Sequence, residues 1–284
     1  MNIILGATGQ IGLMLATNLF NKGQSVRAVV RNESKAHKLR KMGIEVVVAD
    51  YLDKEALKRA FNGGKSAFLL TPEDPKSENY MDEVRLMISH YQEAVQAAGI
   101  NKIVGLSSMG AHHESGTGTL LASYLLEQAF CELNIEQVFV RPAYYFSNWI
   151  GYMELIMMQG ILPTFFPPEM KLPMISPSDV AAFLTDVMIR ETPQERIYEI
   201  CGPHDYSSLE IARIFGNVLN KDVALQQIFE REWENTLVQA GFTTDGIRNL
   251  ILMTKAVIDG KTKGDTANQI RLFTDFKTFI EKIV

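Results

Sequence analysis

The stretch Gly6-Ala7-Thr8-Gly9-Gln10-Ile11-Gly12 decides the fold of this 284-residue chain. It follows the apolar run 2–5 and opens a segment whose apolar residues recur at helical spacing. Glycines at these positions permit a tight turn, let backbone N–H groups approach a pyrophosphate, and let the helix pack closely on the strand. The first N–H groups of a helix lack intrahelical partners, so they favour an anion. We therefore expect a dinucleotide to contact Gly6, Thr8, Gly9, Gln10, Ile11 and Gly12.

Short apolar runs and helical segments alternate over residues 1–142. Strands are predicted at 2–5, 25–30, 45–49, 66–70, 102–106 and 136–141, and helices at about 10–22, 34–42, 53–61, 78–98 and 119–132. Runs such as Val46-Val47-Val48 do not alternate with polar residues, which is typical of parallel strands covered by helices on both faces. The pattern predicts an α/β fold with a doubly wound parallel sheet of the Rossmann type.

Residues 143–284 are less regular and predict a smaller, mixed α/β C-terminal lobe, interleaved with the first domain, that supplies the substrate or partner surface. A strand is expected at 197–201, and helices at about 150–158, 178–190, 207–219, 229–239, 245–258 and 274–283. Ligands of such sheets bind at the carboxyl ends of the strands. We expect the lobe to cover that edge.

Composition narrows the function classes. Apolar residues make up 46% and charged residues 21%, as in an ordinary globular protein. The 28 basic and 33 acidic side chains give a net charge of −5, which argues against direct binding of nucleic acid or of an anionic membrane. The first 21 residues carry no charge, but three glycines interrupt them and no basic leader precedes them. We therefore expect no membrane span. Two cysteines build no disulfide framework, which is typical of a reducing compartment, so we expect a cytoplasmic protein.

The end of the second predicted strand selects the cofactor. NAD sites usually place a carboxylate about 20 residues past the glycines, where it binds the ribose hydroxyls. Here Arg31 stands 19 residues after Gly12, and Lys35 follows one helical turn later. A guanidinium pairs with a 2′-phosphate that a carboxylate would repel. The sequence predicts NADP(H), with NAD(H) as the alternative.

Two further strand ends point toward the nucleotide. Asp50 closes the third predicted strand, and Leu52 follows it. Either the two residues flank the adenine, or Asp50 caps the helix that begins near Asp53. Thr71 follows the fourth strand and is expected to line the ribose side of the cofactor.

Several motifs, taken in order, resemble one family. They are the glycine stretch, Arg31-Asn32, Val48-Ala49-Asp50, Leu106-Ser107-Ser108-Met109-Gly110-Ala111, Val140-Arg141-Pro142, Ser178-Asp179-Val180-Ala181-Ala182 and Tyr198-Glu199-Ile200-Cys201-Gly202-Pro203. The chain resembles the NmrA-like family of atypical short-chain dehydrogenases/reductases over about its whole length. The resemblance implies NAD(P) binding, with some members acting as NADPH-dependent quinone reductases and others as cofactor-sensing regulators. Nucleotide-sugar epimerases are a neighbouring group.

The catalytic residues of short-chain dehydrogenases are a Ser and a Tyr-x-x-x-Lys pair, in which the Lys lowers the pKa of the Tyr. Ser107 or Ser108 ends the fifth predicted strand, where the catalytic Ser belongs, and Tyr124 lies on the next helix, but Gln128 replaces the Lys. Gln128 can bind a ribose hydroxyl but supplies no charge. The other expectation is a substrate pocket formed by Tyr144, Tyr145 and Phe146.

Three functions fit these residues. The first is an NADPH-dependent oxidoreductase that reduces a small quinone-like or other apolar carbonyl acceptor, because such an acceptor needs no strongly activated Tyr. The second is a regulator that senses NADP(H), binds a protein partner and catalyses nothing. The third is a nucleotide-sugar epimerase or dehydratase, against which Arg31 and Gln128 count. Histidines, acids and cysteines show no metal-ligand spacing, so no metal is expected.

Overall fold

The computed structural model describes residues 1–192, 194–264 and 268–284. Its strands are β1 (Asn2–Ile4), β2 (Val26–Val30), β3 (Glu45–Val48), β4 (Ser66–Leu70), β5 (Lys102–Leu106), β6 (Glu136–Pro142), β7 (Tyr144–Tyr145), β8 (Ile161–Thr164), β9 (Leu172–Ile175), β10 (Ile197–Cys201), β11 (Asp205–Tyr206), β12 (Ala224–Gln227) and β13 (Ile270–Arg271).

Its helices are α1 (Gln10–Asn21), α2 (His37–Lys41), α3 (Lys54–Phe61), α4 (Tyr80–Ala98), α5 (Leu121–Ala129), α6 (Ser147–Ile150), α7 (Met153–Gln159), α8 (Pro177–Ile189), α9 (Ser208–Leu219), α10 (Glu230–Gln239), α11 (Thr244–Ile258) and α12 (Phe276–Glu281). Two short 3-10 turns cover Glu33–Ala36 and Gly118–Leu120.

The central element is an eight-stranded sheet with the order β3-β2-β1-β4-β5-β6-β10-β13, in which every pair is parallel. The direction of winding reverses between β1 and β4, and such a switch point opens a ligand crevice at the carboxyl ends of the strands. The predicted doubly wound parallel sheet is confirmed.

Helices cover both faces of this sheet. Ile3 and Ile4 are adjacent on β1, so their side chains point to opposite faces, and both are completely buried. Ile4 packs with Leu15 of α1 on one face, and Ile3 packs with Phe61 of α3 on the other. Burial on both faces explains why the inner strands read as continuous apolar runs. The edge strand β3 is only half-buried, and its Val48 is 47% exposed, so the expectation that helices cover Val46-Val47-Val48 on both faces is wrong for this strand.

The C-terminal half is interleaved with the N-terminal half. Strand β10 pairs with β6, β13 pairs with β10, and α8 packs on α1. Strands β7, β9 and β11 form a small mixed sheet, and β8 pairs with β12. The smaller mixed lobe was predicted; a division of the chain between residues 142 and 143 stays a prediction.

In the part of the chain that the structure describes, no helix combines the length and the apolar character that a bilayer crossing requires.

Candidate functional site

The glycine stretch forms a tight turn between β1 and α1. Gly6 has a φ of +60°, which favours glycine, and its carbonyl accepts the N–H of Gly9 (2.8 Å). A Cβ on Gly12 would lie 2.3 Å from the Gly6 oxygen, so only glycine lets α1 pack this closely. No side chain caps the start of α1, and its first turn holds no acidic residue. Its free N–H groups and positive dipole end therefore fit the phosphates of a dinucleotide.

Two side chains of this stretch are already engaged. Ile11 is buried in the core between sheet and helix, so only its backbone is available to a ligand. The Gln10 side chain accepts a hydrogen bond from the Ser147 hydroxyl (3.0 Å) at the edge of the C-terminal lobe. Thr8, together with Gly6 and Gly9, borders the cavity described next.

A cavity of about 240 Å³, here called the glycine-loop cavity, lies between the turn and the ends of β2, β3 and β4. Arg31 and Lys35 both line it, as predicted for residues that bind the same phosphate. Neither cation forms an ion pair with a carboxylate of the described residues, whereas Arg40 pairs with Glu33 (2.6 Å). Two free cations beside a helix N-terminus fit the extra phosphate of NADP(H).

Tyr51 orients the Arg31 guanidinium, and sequence reasoning missed it. Arg31 Nη1 donates to the Tyr51 hydroxyl (2.8 Å), and the guanidinium carbon lies 5.1 Å from the centre of the ring. Burial raises the pKa of Tyr51, so the phenol stays neutral beside the cation. An aromatic residue three positions after the end of β3, at the ligand edge, was the available signal.

The residues on either side of Tyr51 turn outward. Asp50 is exposed and its carboxylate accepts the Leu52 backbone N–H (2.8 Å), while Leu52 is 41% exposed. Helix α3 is capped by Asp53, which accepts the Ala56 N–H (3.0 Å). The alternative that Asp50 caps this helix is therefore wrong, and a contact of Asp50 or Leu52 with the adenine stays a prediction.

A second, larger cavity of about 340 Å³, here called the aromatic cavity, opens at the ends of β4, β5 and β6. Leu70 borders both cavities, and Thr71 lines the second. Helix α11 forms the opposite wall through Met253, Thr254 and Val257. The C-terminal half thus covers the edge of the sheet, as expected from the sequence.

Ser107 reaches this cavity, but its hydroxyl proton is engaged. Its Oγ donates to Glu127 Oε1 (2.5 Å), and Glu127 also pairs with Arg141 through Nε (2.8 Å) and Nη2 (2.7 Å). All three side chains are buried. Ser108 lines the same cavity, and its buried hydroxyl has no partner among the described residues. Ser108 is therefore the better placed hydrogen-bond donor for a bound molecule.

The structure does not bring Tyr124 and Gln128 into the cavity. The pair formed by Glu127 and Arg141 fixes the rotation of α5, so that Ser123, four residues before Glu127, lines the cavity. Each helical residue is rotated by about 100° from the one before it, and Tyr124 lies outside the described lining. Gln128 is exposed. The expected pairing of Tyr124 with a cofactor-binding Gln128 does not match this placement.

The expected aromatic pocket is present in part. Tyr144 and Tyr145 line the aromatic cavity, and burial raises the pKa of both phenols. Phe146 is instead completely buried in the core of the C-terminal lobe, where its ring packs on Phe276 with centroids 5.2 Å apart. The expectation that Phe146 forms part of the pocket is wrong.

Sequence reasoning also missed two polar residues in the aromatic cavity. Glu73, just beyond the end of β4, and Tyr80, at the start of α4, both line it. The buried hydroxyls of Tyr80 and Tyr145 have no partner among the described residues. An acid placed directly after the apolar strand β4 was the available signal for Glu73. Within the described ranges, no group of three or more His, Cys, Asp or Glu could hold a metal ion.

Known proteins resemble this chain along most of its length. Quinone oxidoreductase 2 of Escherichia coli is 24% identical over 290 residues, covering 100% of this chain and 93% of that protein. NAD(P)H azoreductase of Xenophilus azovorans is 26% identical over 216 residues, covering 75% of this chain and 71% of that protein.

Two solved structures share the fold. Citrobacter sp. triphenylmethane reductase, complexed with NADP(H), has a TM-score of 0.83 at 22% identity, covering 100% of this chain and 99% of that one. The NADPH-dependent quinone oxidoreductase of Escherichia coli, complexed with NADPH, has a TM-score of 0.81 at 23% identity, with the same coverage. The model of the NmrA-like family matches residues 2–279, through both halves of the interleaved fold and both cavities. The chain belongs to the NmrA-like family.

Proposed function

We propose that this protein is an NADPH-dependent oxidoreductase that reduces a small apolar acceptor, such as a quinone or another carbonyl compound. The observation that carries the proposal is that both cavities lie along the carboxyl edge of the sheet and share the lining residue Leu70. A ligand that follows the carboxyl edge of the sheet can place its phosphates in the glycine-loop cavity and its other end in the aromatic cavity. The quinone oxidoreductase and azoreductase among the relatives support the same class of reaction.

The cofactor would be held by residues of three strand ends. The backbone N–H groups of the glycine stretch would bind the pyrophosphate, Arg31 and Lys35 the 2′-phosphate, and Thr71 the ribose side. NAD(H) lacks the 2′-phosphate, so it gains nothing from the two cations and should bind more weakly. When bound, the cofactor supplies the hydride.

The acceptor would lie in the aromatic cavity. Ser108 and Tyr145 each present an unpartnered hydroxyl there, which can donate to the acceptor oxygen. Burial raises the pKa of Tyr145, so its phenol stays protonated and donates a hydrogen bond without losing its proton. Helix α11 closes one side of the cavity and limits water around the reacting groups. These contacts place and polarise the acceptor and do not require an activated Tyr.

We also place the protein in the cytoplasm. Cys131, which is exposed, and Cys201, which is buried, are both free, and this supports a reducing compartment.

Oxidation of NADPH, followed as loss of the near-ultraviolet absorbance of the reduced nicotinamide, tests the proposal with a panel of quinones, enones and azo dyes. We expect Ser108→Ala to lower kcat/KM for quinones by about 100-fold, because it removes a donor to the oxygen that becomes negative. Ser115→Ala is the matched control, since Ser115 is exposed in the same loop, and it should leave the rate unchanged.

The same assay separates the other two functions. NADPH binding without oxidation by any acceptor would overturn the proposal and favour the sensing regulator. Interconversion of nucleotide sugars without net oxidation of NADPH would favour the epimerase.

A further inference from the structure

Glu73 is the one carboxyl among the described residues that line the aromatic cavity. It lies in the loop between β4 and α4, on a part of the chain that no nucleotide-binding motif covers. The titratable groups that face it are the phenols of Tyr80 on α4 and of Tyr144 and Tyr145 on β7. The described residues of α11 in the lining carry no charge, so no cation neutralises this carboxyl within the cavity.

The loop that carries Glu73 is tied to the wall of the cavity. The Thr243 hydroxyl donates to the carbonyl of Ser77 (2.6 Å), and the Tyr80 backbone N–H donates to Asp245 (2.9 Å). A Cβ on Gly246 would lie 2.4 Å from the Pro75 oxygen, so the start of α11 packs directly on this loop. These contacts hold residues 75–80, which follow Glu73 in the loop, against the start of α11.

The surroundings of Glu73 favour its protonated form. By its accessible surface Glu73 is an exposed residue, and it borders the aromatic cavity. Burial raises the pKa of Glu73 from its ordinary value of 4.5, and a hydrogen bond with Thr119 opposes this in part. A bound acceptor would displace water from the cavity and strengthen the effect of burial.

The reduction proposed above needs a proton as well as a hydride. Once hydride has been added, the acceptor oxygen carries a negative charge that a proton must neutralise. Burial raises the pKa of the phenols of Tyr80, Tyr144 and Tyr145, which makes them weaker acids, and a serine hydroxyl is weaker still. A carboxyl whose pKa is shifted toward neutrality suits general acid catalysis better.

We propose that Glu73 is the general acid of this protein, which protonates the oxygen of a carbonyl or quinone acceptor in the aromatic cavity. The inference rests on the proposed function. The acceptor gains two electrons and one hydrogen as the hydride that the cofactor supplies, and the cofactor is oxidised. The O–H bond of Glu73 breaks as the O–H bond of the reduced acceptor forms. The resulting carboxylate takes a proton from water before the next turnover.

The pH dependence of quinone reduction tests the role directly. Because the acid must be protonated, kcat/KM of the wild-type protein should fall as the pH rises through the raised pKa of Glu73. Glu73→Gln should lower kcat by about 100-fold and remove this fall. Glu78→Gln, the same change at an exposed position of the same loop, should leave the rate and the pH profile unchanged.

A second readout needs neither cofactor nor acceptor. A carboxyl whose pKa is higher in the folded than in the unfolded state adds most to stability at low pH, and this contribution is lost as the pH rises through the folded-state pKa. Glu73→Gln should therefore be more stable than wild type at mildly alkaline pH, and the gain should shrink on acidification. Thermal unfolding across pH measures this difference, which Glu78→Gln should not show.

The outcomes separate the two proposals. If wild-type protein reduces quinones but Glu73→Gln is equally active, or keeps the wild-type pH profile, Glu73 is not the acid. A stability difference between wild type and Glu73→Gln that does not change with pH would also overturn the proposal. If none of the acceptors in the panel leads to oxidation of NADPH by the wild-type protein, the proposed function itself fails. The catalytic role of Glu73 then fails with it.

Discussion

Removing the guanidinium of Arg31 should change the choice between NADPH and NADH. Arg31 is exposed at the mouth of the glycine-loop cavity, is held by the Tyr51 hydroxyl, and has no carboxylate partner among the described residues. A hydrogen bond to a charged group contributes about 1.5–3 kcal/mol. Since every 1.4 kcal/mol is tenfold in affinity, Arg31→Ala should weaken NADPH binding by about 10- to 100-fold. NADH carries no 2′-phosphate, so its affinity should stay within about 3-fold of the wild-type value.

Calorimetric titration of both cofactors measures the effect, with Arg40→Ala as the control. Arg40 belongs to the same basic stretch but pairs with Glu33 and lies outside the described lining of the cavity, so its removal should leave both affinities unchanged. Added salt should weaken NADPH binding to the wild-type protein more than binding to Arg31→Ala. Equal loss of NADPH and NADH affinity in Arg31→Ala, or an equal effect of Arg40→Ala, would refute the assignment of the 2′-phosphate to Arg31.

Two further substitutions test the packing of α11 at the aromatic cavity and the orientation of α5 beside it. Gly118 has a φ of +57°, and a Cβ there would lie 2.0 Å from the backbone oxygen of Asn249 on α11. Gly118→Ala should therefore displace α11 and lower the free energy of unfolding by about 2 kcal/mol or more. The displaced helix should also raise KM for the acceptor. Gly116 has a φ of +73°, but a Cβ there would meet only the Lys261 Nζ atom, at 3.7 Å. Gly116→Ala should therefore show the backbone strain alone in denaturant unfolding, and an equal loss in both variants would contradict the contact at Gly118. Because Tyr124 is outside the described lining of the cavity and Gln128 is exposed, Gln128→Lys should leave turnover at neutral pH unchanged, and a faster rate would restore Tyr124 as the proton donor.

The main sheet could be predicted because its strands depend on local sequence. The six strands predicted over residues 1–142 coincide with β1 to β6 to within one residue at either end. Most of their residues are apolar, and burial on both faces favours such runs in the inner strands, whereas the edge strand β3 is only half-buried. The two-residue strands β7, β11 and β13 left no such signal, because they exist only through pairing with distant segments.

The glycine-loop cavity could also be predicted, whereas the aromatic cavity could be predicted only in part. Gly6 has a positive φ, and Gly12 leaves no room for a Cβ, so both positions require glycine and are visible in the sequence. Arg31 follows Gly12 by 19 residues. The rotation of α5 is set instead by Glu127, which binds Ser107 just after β5 and Arg141 on β6. No spacing within the helix could show that Ser123, and not Tyr124, lines the cavity.

The position of Glu73 at the cavity could not be predicted from the sequence for a related reason. A single acid after a strand is usually solvated, and its role here depends on the packing of α11 over the loop that carries it. That packing joins segments about 170 residues apart in the chain, as the contact of Pro75 with Gly246 illustrates.

The central claim is that both cavities form one site that holds the cofactor and the acceptor together. A crystal structure of the protein with NADP⁺ tests it most directly. We predict electron density for the 2′-phosphate at Arg31 and Lys35, the pyrophosphate on the first turn of α1, and the nicotinamide past Leu70 in the aromatic cavity. A nucleotide bound elsewhere, or one whose nicotinamide stays outside the aromatic cavity, would contradict the claim.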